Sequence, residues 1–222
     1  MTARQTIRST THTATRMDAE GQSEPEIEPP AFVVESDELS RAFSAAHRAH
    51  AGHKKGGRPY LEHPVQVAGL LRGGGYAEAT IAAGLLHDVV EDSEVTVGEV
   101  VASFGPEVGR LVAALTEDPT IEDWEARKQA LRERAAGSGS DSIAIYTADK
   151  LANLSNWRFM YAKVGERAVE FFKAPTLAAR IRAWRADLEM GERCAPGSAL
   201  NVRLRRELEK FVGDRRPESE LR

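Results

Sequence analysis

The stretch Leu85-Leu86-His87-Asp88-Val89-Val90-Glu91-Asp92 constrains this chain more than any other. It places a His, two Asp and a Glu in a short segment that opens with an apolar helical run. A soluble helix turns its aliphatic residues inward and its charges outward. His87-Asp88 directly after Leu85-Leu86 is therefore expected to be buried. A buried carboxylate beside an imidazole needs a counter-charge, and a metal ion is a common one. His63-Pro64 upstream and Ala148-Asp149-Lys150-Leu151 downstream extend the pattern. Together they predict a metal site of His63, His87, Asp88 and Asp149 on a helical scaffold. Each residue alone has an ordinary alternative: a helix cap for His63, a buried hydrogen-bonded pair for His87-Asp88, an ion-paired helix position for Asp149. The combination, in order and beside apolar segments, carries the reading.

Nearly every periodic segment reads as helix, and no alternating strand stands out, so the expected class is all-α. The first helix is expected at about 36–51, with Leu39, Phe43 and Ala46 on one face. Two Gly and a Pro in His53-Lys54-Lys55-Gly56-Gly57-Arg58-Pro59 mark a loop. Pro64 opens a second helix that Gly73-Gly74-Gly75 ends. A third runs about 77–90 through His87-Asp88. Thr96-Val97-Gly98-Glu99 is a capping box for a fourth, ending near Gly105, and Pro106 starts a fifth. A polar helix at about 121–136 leads to Gly137-Ser138-Gly139-Ser140. Further helices are expected at 141–157, 162–173 and 176–192, and a last amphipathic one carries Leu200, Leu204, Leu208 and Phe211.

The chain of 222 residues has room for one ordinary domain plus tails. Residues 1–35 read as a disordered tail and linker: 1–17 are Arg-, Ser- and Thr-rich without acids, and 18–30 are acidic with Pro. The expected domain spans 36–195, with a C-terminal helix and tail at 196–222. A net charge of −4 does not suggest a nucleic-acid or membrane-surface binder. No apolar run is long enough to span a bilayer, and no signal-peptide core is seen. The lone Cys194 excludes an internal disulfide and fits a reducing, cytoplasmic compartment.

The motifs resemble the hydrolase domain of RelA/SpoT homologues, within the HD phosphohydrolase superfamily, and most of all its small stand-alone alarmone hydrolases. The similarity runs over roughly residues 38–160. It is carried by Pro59-Tyr60-Leu61-Glu62-His63-Pro64, by Leu86-His87-Asp88-Val89-Val90-Glu91-Asp92 and by Ala148-Asp149-Lys150-Leu151-Ala152-Asn153. The resemblance implies an HD-domain helical bundle that hydrolyses the 3′-pyrophosphate of guanosine tetra- and pentaphosphate, usually with Mn²⁺. It implies His63, His87, Asp88 and Asp149 as metal ligands and Glu91 and Asp92 as the pair that handles the attacking water. The partner expected is a small nucleotide substrate, and a homodimer is allowed. The chain ends before a synthetase domain, so no synthetase activity is expected.

The residues themselves are consistent with those roles. Two imidazoles and two carboxylates form a mixed N/O set without thiolate, which suits Mn²⁺, Fe²⁺ or Zn²⁺. Glu91 and Asp92 follow Asp88 by three and four residues, on its face of a helix. Acids at a helix C-terminus oppose the dipole, and a locally unfavourable placement points to function. Lys54 and Lys55 are candidate pyrophosphate contacts, and Tyr60, Asn153 and Arg158 candidate nucleotide contacts. The chain departs from the family pattern at Lys54, where Arg is common, and at Ala152 and Ser155. These departures keep a second reading open: an HD phosphohydrolase of another nucleotide, such as an adenine alarmone or the 2′-phosphate of NADPH.

Overall fold

Side-chain caps set the start of several helices. Ser36 Oγ accepts from the Leu39 N–H, Asp123 Oδ1 from Ala126 and Thr176 Oγ1 from Ala179. Thr96 and Glu99 complete the capping box reciprocally: Thr96 Oγ1 accepts from the Glu99 N–H at 3.2 Å and Glu99 Oε2 from the Thr96 N–H at 2.8 Å. Each such bond satisfies a backbone donor that the helix itself leaves unpaired.

The computed structural model describes residues 27–55, 58–171 and 174–213, without the side chains of Lys54 and Lys55. Its helices are α1 (Ala31–Val34), α2 (Asp37–Ala49), α3 (Glu62–Gly73), α4 (Glu78–Leu86), α5 (Val89–Asp92), α6 (Val97–Leu115), α7 (Trp124–Gly137), α8 (Ser140–Val164), α9 (Ala168–Phe171), α10 (Leu177–Cys194) and α11 (Ala199–Gly213). The all-α class holds. One small ladder interrupts it: β1 (Lys54–Lys55) pairs antiparallel with β2 (Arg58–Pro59) inside the segment read as a loop.

Three further differences from the sequence reading have local causes. The helix expected over 77–90 breaks at His87-Asp88, where Asp88 relaxes to φ −98°, ψ −5° before α5 begins. The two helices expected either side of Pro106 form one element, α6, kinked at Gly105 (φ 87°). Pro106 lacks the N–H that a straight helix would use there, and only Gly adopts that φ without strain. α8 is much longer than expected because Trp157 and Met160 bury their side chains as the earlier turns do.

α8 is the central element. It is buried almost continuously from Ser142 to Ala152, and it packs against α3, α4, α6, α7, α10 and α11. α3 and α4 approach closely at Gly84, where a Cβ would stand 2.5 Å from Leu71 Cδ1. The last helix is part of this core rather than an appendage. Leu200, Leu204, Leu208 and Phe211 of α11 are buried, each stabilising by about 1.5–3 kcal/mol relative to exposure. Phe211 meets the Trp184 ring edge-on, and Trp184 meets Trp157 in the same way. At the other end, α1 falls within the segment read as tail, yet it buries Val33 and packs on α2. The rest of that expected tail, residues 1–26, lies outside the described residues. Among the described residues no helix is long and apolar enough to cross a membrane.

Candidate metal centre

Three separate elements bring the predicted ligands together. His63 lies in the first turn of α3, where Pro64 is tolerated because its missing N–H has no intrahelical partner. His87 and Asp88 form the break between α4 and α5, which lets neighbouring residues aim at one point instead of diverging as they would on a continuous helix. Asp149 sits in the middle of α8. His63 Nε2 lies 3.0 Å from Asp149 Oδ1 and 3.6 Å from Asp88 Oδ2. His87 Nε2 lies 3.2 Å from Asp88 Oδ2 and 3.8 Å from Asp149 Oδ1. One ligand atom each from His63, His87 and Asp149 falls within a 4.8 Å set.

The donor set fits a divalent cation. His87 Nδ1 is 2.8 Å from the Gly84 carbonyl oxygen, which can only accept, so Nδ1 carries the proton and Nε2 faces the site. That buried Nε2 makes no hydrogen bond of its own. Burial opposes the His87 charge, but the Asp88 and Asp149 carboxylates outweigh it and hold the imidazole well above its usual range. Burial likewise opposes the Asp149 charge, and Lys150 with the two imidazoles holds the carboxyl well below its usual range. Without a cation, a proton on the ring offsets the buried carboxylates, and a metal ion would take its place. His63, His87, Asp88 and Asp149 are the residues that could hold one.

Around this centre the other site residues separate. Tyr60 Oη donates to Asp88 Oδ2 at 2.6 Å, and its phenol is pushed far up by burial and by the Asp88 and Asp92 charges, so it stays a donor. Asn153 Nδ2 donates to Asp149 Oδ1. Both line a cleft of 620 Å³ over the centre, yet both hold a carboxylate of that centre. Glu91 and Asp92 line the same cleft. Glu91 Oε1 accepts from the Glu117 N–H at 2.6 Å. Burial pushes the Glu91 carboxyl up to about 7, with the Asp88 charge adding to the rise and the Glu117 N–H opposing it. The side chain keeps contact with solvent at the cleft mouth, which moderates that rise. His50 is buried beside Asp92, its Nδ1 4.0 Å from Oδ2, and burial lowers its pKa to about 4.

Arg158 is not among the residues lining the cleft. Its guanidinium is paired with Glu207 of α11. The backbone of Lys54 and Lys55 forms β1, and their side chains lie outside the described part. Ala152 is fully buried, and Ser155 Oγ donates to the Leu151 carbonyl at 3.1 Å, so neither departure from the family pattern faces the cleft.

Sequence reasoning missed two cations of the cleft. Lys128 of α7 and Arg180 of α10 also line the cleft. Lys128 is paired with Glu117. Arg180 is buried, stacks on Trp184 at 4.8 Å, and leaves Nε without a hydrogen bond; among the described residues no carboxylate forms an ion pair with it. A signal for Arg180 existed in the sequence: it falls three residues after Leu177 and four before Trp184, on the apolar face of the helix.

A family model described as an HD domain matches residues 42–167. The chain belongs to the HD domain family. All four candidate ligands of this HD domain fall inside the matched span, and Arg180 and α11 fall outside it. Relatives include a probable guanosine-3′,5′-bis(diphosphate) 3′-pyrophosphohydrolase of Synechocystis, 36% identical over 68% of this chain and 21% of the relative. The mouse guanosine-3′,5′-bis(diphosphate) 3′-pyrophosphohydrolase MESH1 is 38% identical over 52% of this chain and 66% of its own length. This chain thus spans only about a fifth of the cyanobacterial relative and just under two thirds of the mouse one. A solved structure described as a metazoan ortholog of SpoT that hydrolyzes ppGpp superposes with a TM-score of 0.64 at 25% identity, covering 79% of this chain and 96% of the other.

Proposed function

We propose that this HD domain hydrolyses the 3′-pyrophosphate of guanosine tetra- and pentaphosphate, releasing pyrophosphate and leaving GDP or GTP. The observation that carries the reading is the convergence of His63, His87, Asp88 and Asp149 beside a cleft that Glu91, Asp92, Lys128 and the buried Arg180 also line. The names of the relatives support the substrate class. His63, His87, Asp88 and Asp149 would hold the cation, with Mn²⁺ preferred because hard carboxylate oxygens and imidazoles suit it. When bound, the ion supplies Lewis acidity to the attacked phosphoryl group.

The remaining work falls to the side chains of the chain. Glu91, with a carboxyl near neutrality, takes a proton from the attacking water and returns it to the ribose 3′-oxygen as the O–P bond breaks. Asp92 orients that water. Tyr60 and Asn153 keep Asp88 and Asp149 in place through their hydrogen bonds. Arg180 and Lys128 donate to phosphate oxygens, and an anion supplies the counter-charge that the buried Arg180 lacks among the described residues. Lys54 and Lys55, in the hairpin that leads to Tyr60, add further charge for the pyrophosphate. A nucleotide substrate of this kind and the single Cys194 both suit a cytoplasmic setting.

The test is pyrophosphate release from guanosine tetraphosphate with Mn²⁺, beside its adenosine counterpart and an EDTA control. Metal-dependent release from the guanine compound supports the reading. Release from the adenosine compound alone replaces guanine by adenine as the substrate base. No release from either, with metal bound, overturns the assignment.

A further inference from the structure

A line of buried side chains runs from α10 to the metal centre. Asp187 of α10 accepts hydrogen bonds from Tyr146 Oη at 2.7 Å and from Arg132 Nη1 at 3.2 Å. The Tyr146 ring, fully enclosed, lies under the Lys150 ammonium, with Nζ 4.2 Å from the ring centroid. Lys150 Nζ is in turn 2.5 Å from Asp149 Oδ2. With Oδ2 held in that way, Oδ1 is the oxygen that faces His63 Nε2 at 3.0 Å and His87 Nε2 at 3.8 Å.

We infer that Asp187 is a positioning residue for the metal centre: it fixes Tyr146, which seats Lys150, which in turn determines the Asp149 oxygen offered to the cation. The inference rests on the reading above that Asp149 is a ligand. Asp187 itself touches no ligand of the centre. Its buried charge is tolerated because Arg132 pairs with it. The ammonium of Lys150 is favoured over the aromatic face by cation–π attraction. A carboxylate is free to rotate about its terminal torsion, and a second partner on one oxygen removes that freedom. Arg180, Trp184 and Asp187 share one face of α10 at i, i+4 and i+7, so the same helix face would serve both the anion wall and the ligand. This face lies outside the span of the HD match.

The experiment is Mn²⁺ titration by calorimetry on the full chain, comparing the parent with Asp187→Asn, Tyr146→Phe, Asp187→Glu and the Asp187→Asn/Tyr146→Phe pair, each with a melting curve. Asp187→Asn and Tyr146→Phe should each weaken Mn²⁺ binding about tenfold, in the range known for residues that orient metal ligands. The double variant should be no weaker than the worse single one, because both changes cut the same chain. Asp187→Glu should recover part of the affinity, and raising Mn²⁺ should restore turnover in all. Unchanged Mn²⁺ affinity in both single variants, with only a lower melting temperature, would reduce the network to core packing and overturn the inference. If Asp187→Asn does not fold, Tyr146→Phe, which removes a single hydroxyl, decides by the same criterion. A parent that takes up no Mn²⁺ overturns the inference together with the metal centre itself.

Discussion

His87 Nδ1 donates to the carbonyl oxygen of Gly84, three residues before it, at 2.8 Å. That bond orients the ring so that Nε2 points at the carboxylates of Asp88 and Asp149. Gly84 has a second duty, since it is the point where α4 lies against Leu71 and Val67 of α3. One residue therefore fixes the His87 ring and permits the approach that brings the His63 and His87 rings to 5.2 Å.

Gly84→Ala should accordingly damage both fold and site. Its Cβ would stand 2.5 Å from Leu71 Cδ1, and Leu71 is itself fully buried. Overpacking of this kind costs about 1–3 kcal/mol. Urea denaturation in EDTA should show a lower midpoint, and Mn²⁺ affinity should fall because α3 carries His63. An unchanged midpoint would mean that Leu71 yields freely.

Asp149→Ala removes a proposed ligand and leaves the Lys150 ammonium buried without its nearest carboxylate. Breaking a buried pair from one side costs about 3–5 kcal/mol. The variant should bind no Mn²⁺ at concentrations that saturate the parent, as read by elemental analysis after gel filtration, and should melt lower. Normal metal content would remove Asp149 from the ligand set.

Glu91→Gln should keep the metal and lose turnover by roughly 10²–10⁴-fold, the usual contribution of a positioned acid–base group. It should also change the pH dependence of stability in the metal-free protein. The folded-state pKa of Glu91 is raised, from 4.5 to about 7, so its stabilising contribution is present below 4.5 and is lost as pH rises through about 7. The variant should therefore gain on the parent across that window in paired urea melts with EDTA. Parallel curves would show that Glu91 titrates normally.

Arg180→Met tests the anion wall. A hydrogen bond to a charged group contributes about 1.5–3 kcal/mol, so KM for the tetraphosphate should rise roughly 10- to 100-fold. Stability of the free protein should hold or improve, because an apolar side chain replaces a buried charge with no ion pair among the described residues. A large stability loss with unchanged KM would make Arg180 a structural residue.

Much of this was legible before any coordinates. The capping box at Thr96 announced the start of α6, because a cap acts within three or four residues. His63, His87, Asp88 and Asp149 stood out because charge inside an apolar run needs a local reason. Pairings across the chain were not legible. Arg158 stands beside the motif, and Glu207, far along the chain on α11, pairs with its guanidinium. Asn153 and Tyr60 read as substrate contacts, and only the fold shows that they also hydrogen-bond Asp149 and Asp88. The helix expected at 176–192 carried no site reading, and only its docking shows Arg180 and Asp187 buried on one face.

By itself, then, the sequence determined the helical class, several helix starts and the chemistry of the four candidate ligands, since these depend on periodicity, caps and residue type over short spans. Tertiary structure alone decided which side chains meet. The break at His87-Asp88, the close approach at Gly84 and the docking of α10 and α11 on α8 turn separate motifs into one cleft. Those contacts join residues dozens of positions apart, and their partners are chosen by how buried surfaces fit and how buried charges are matched.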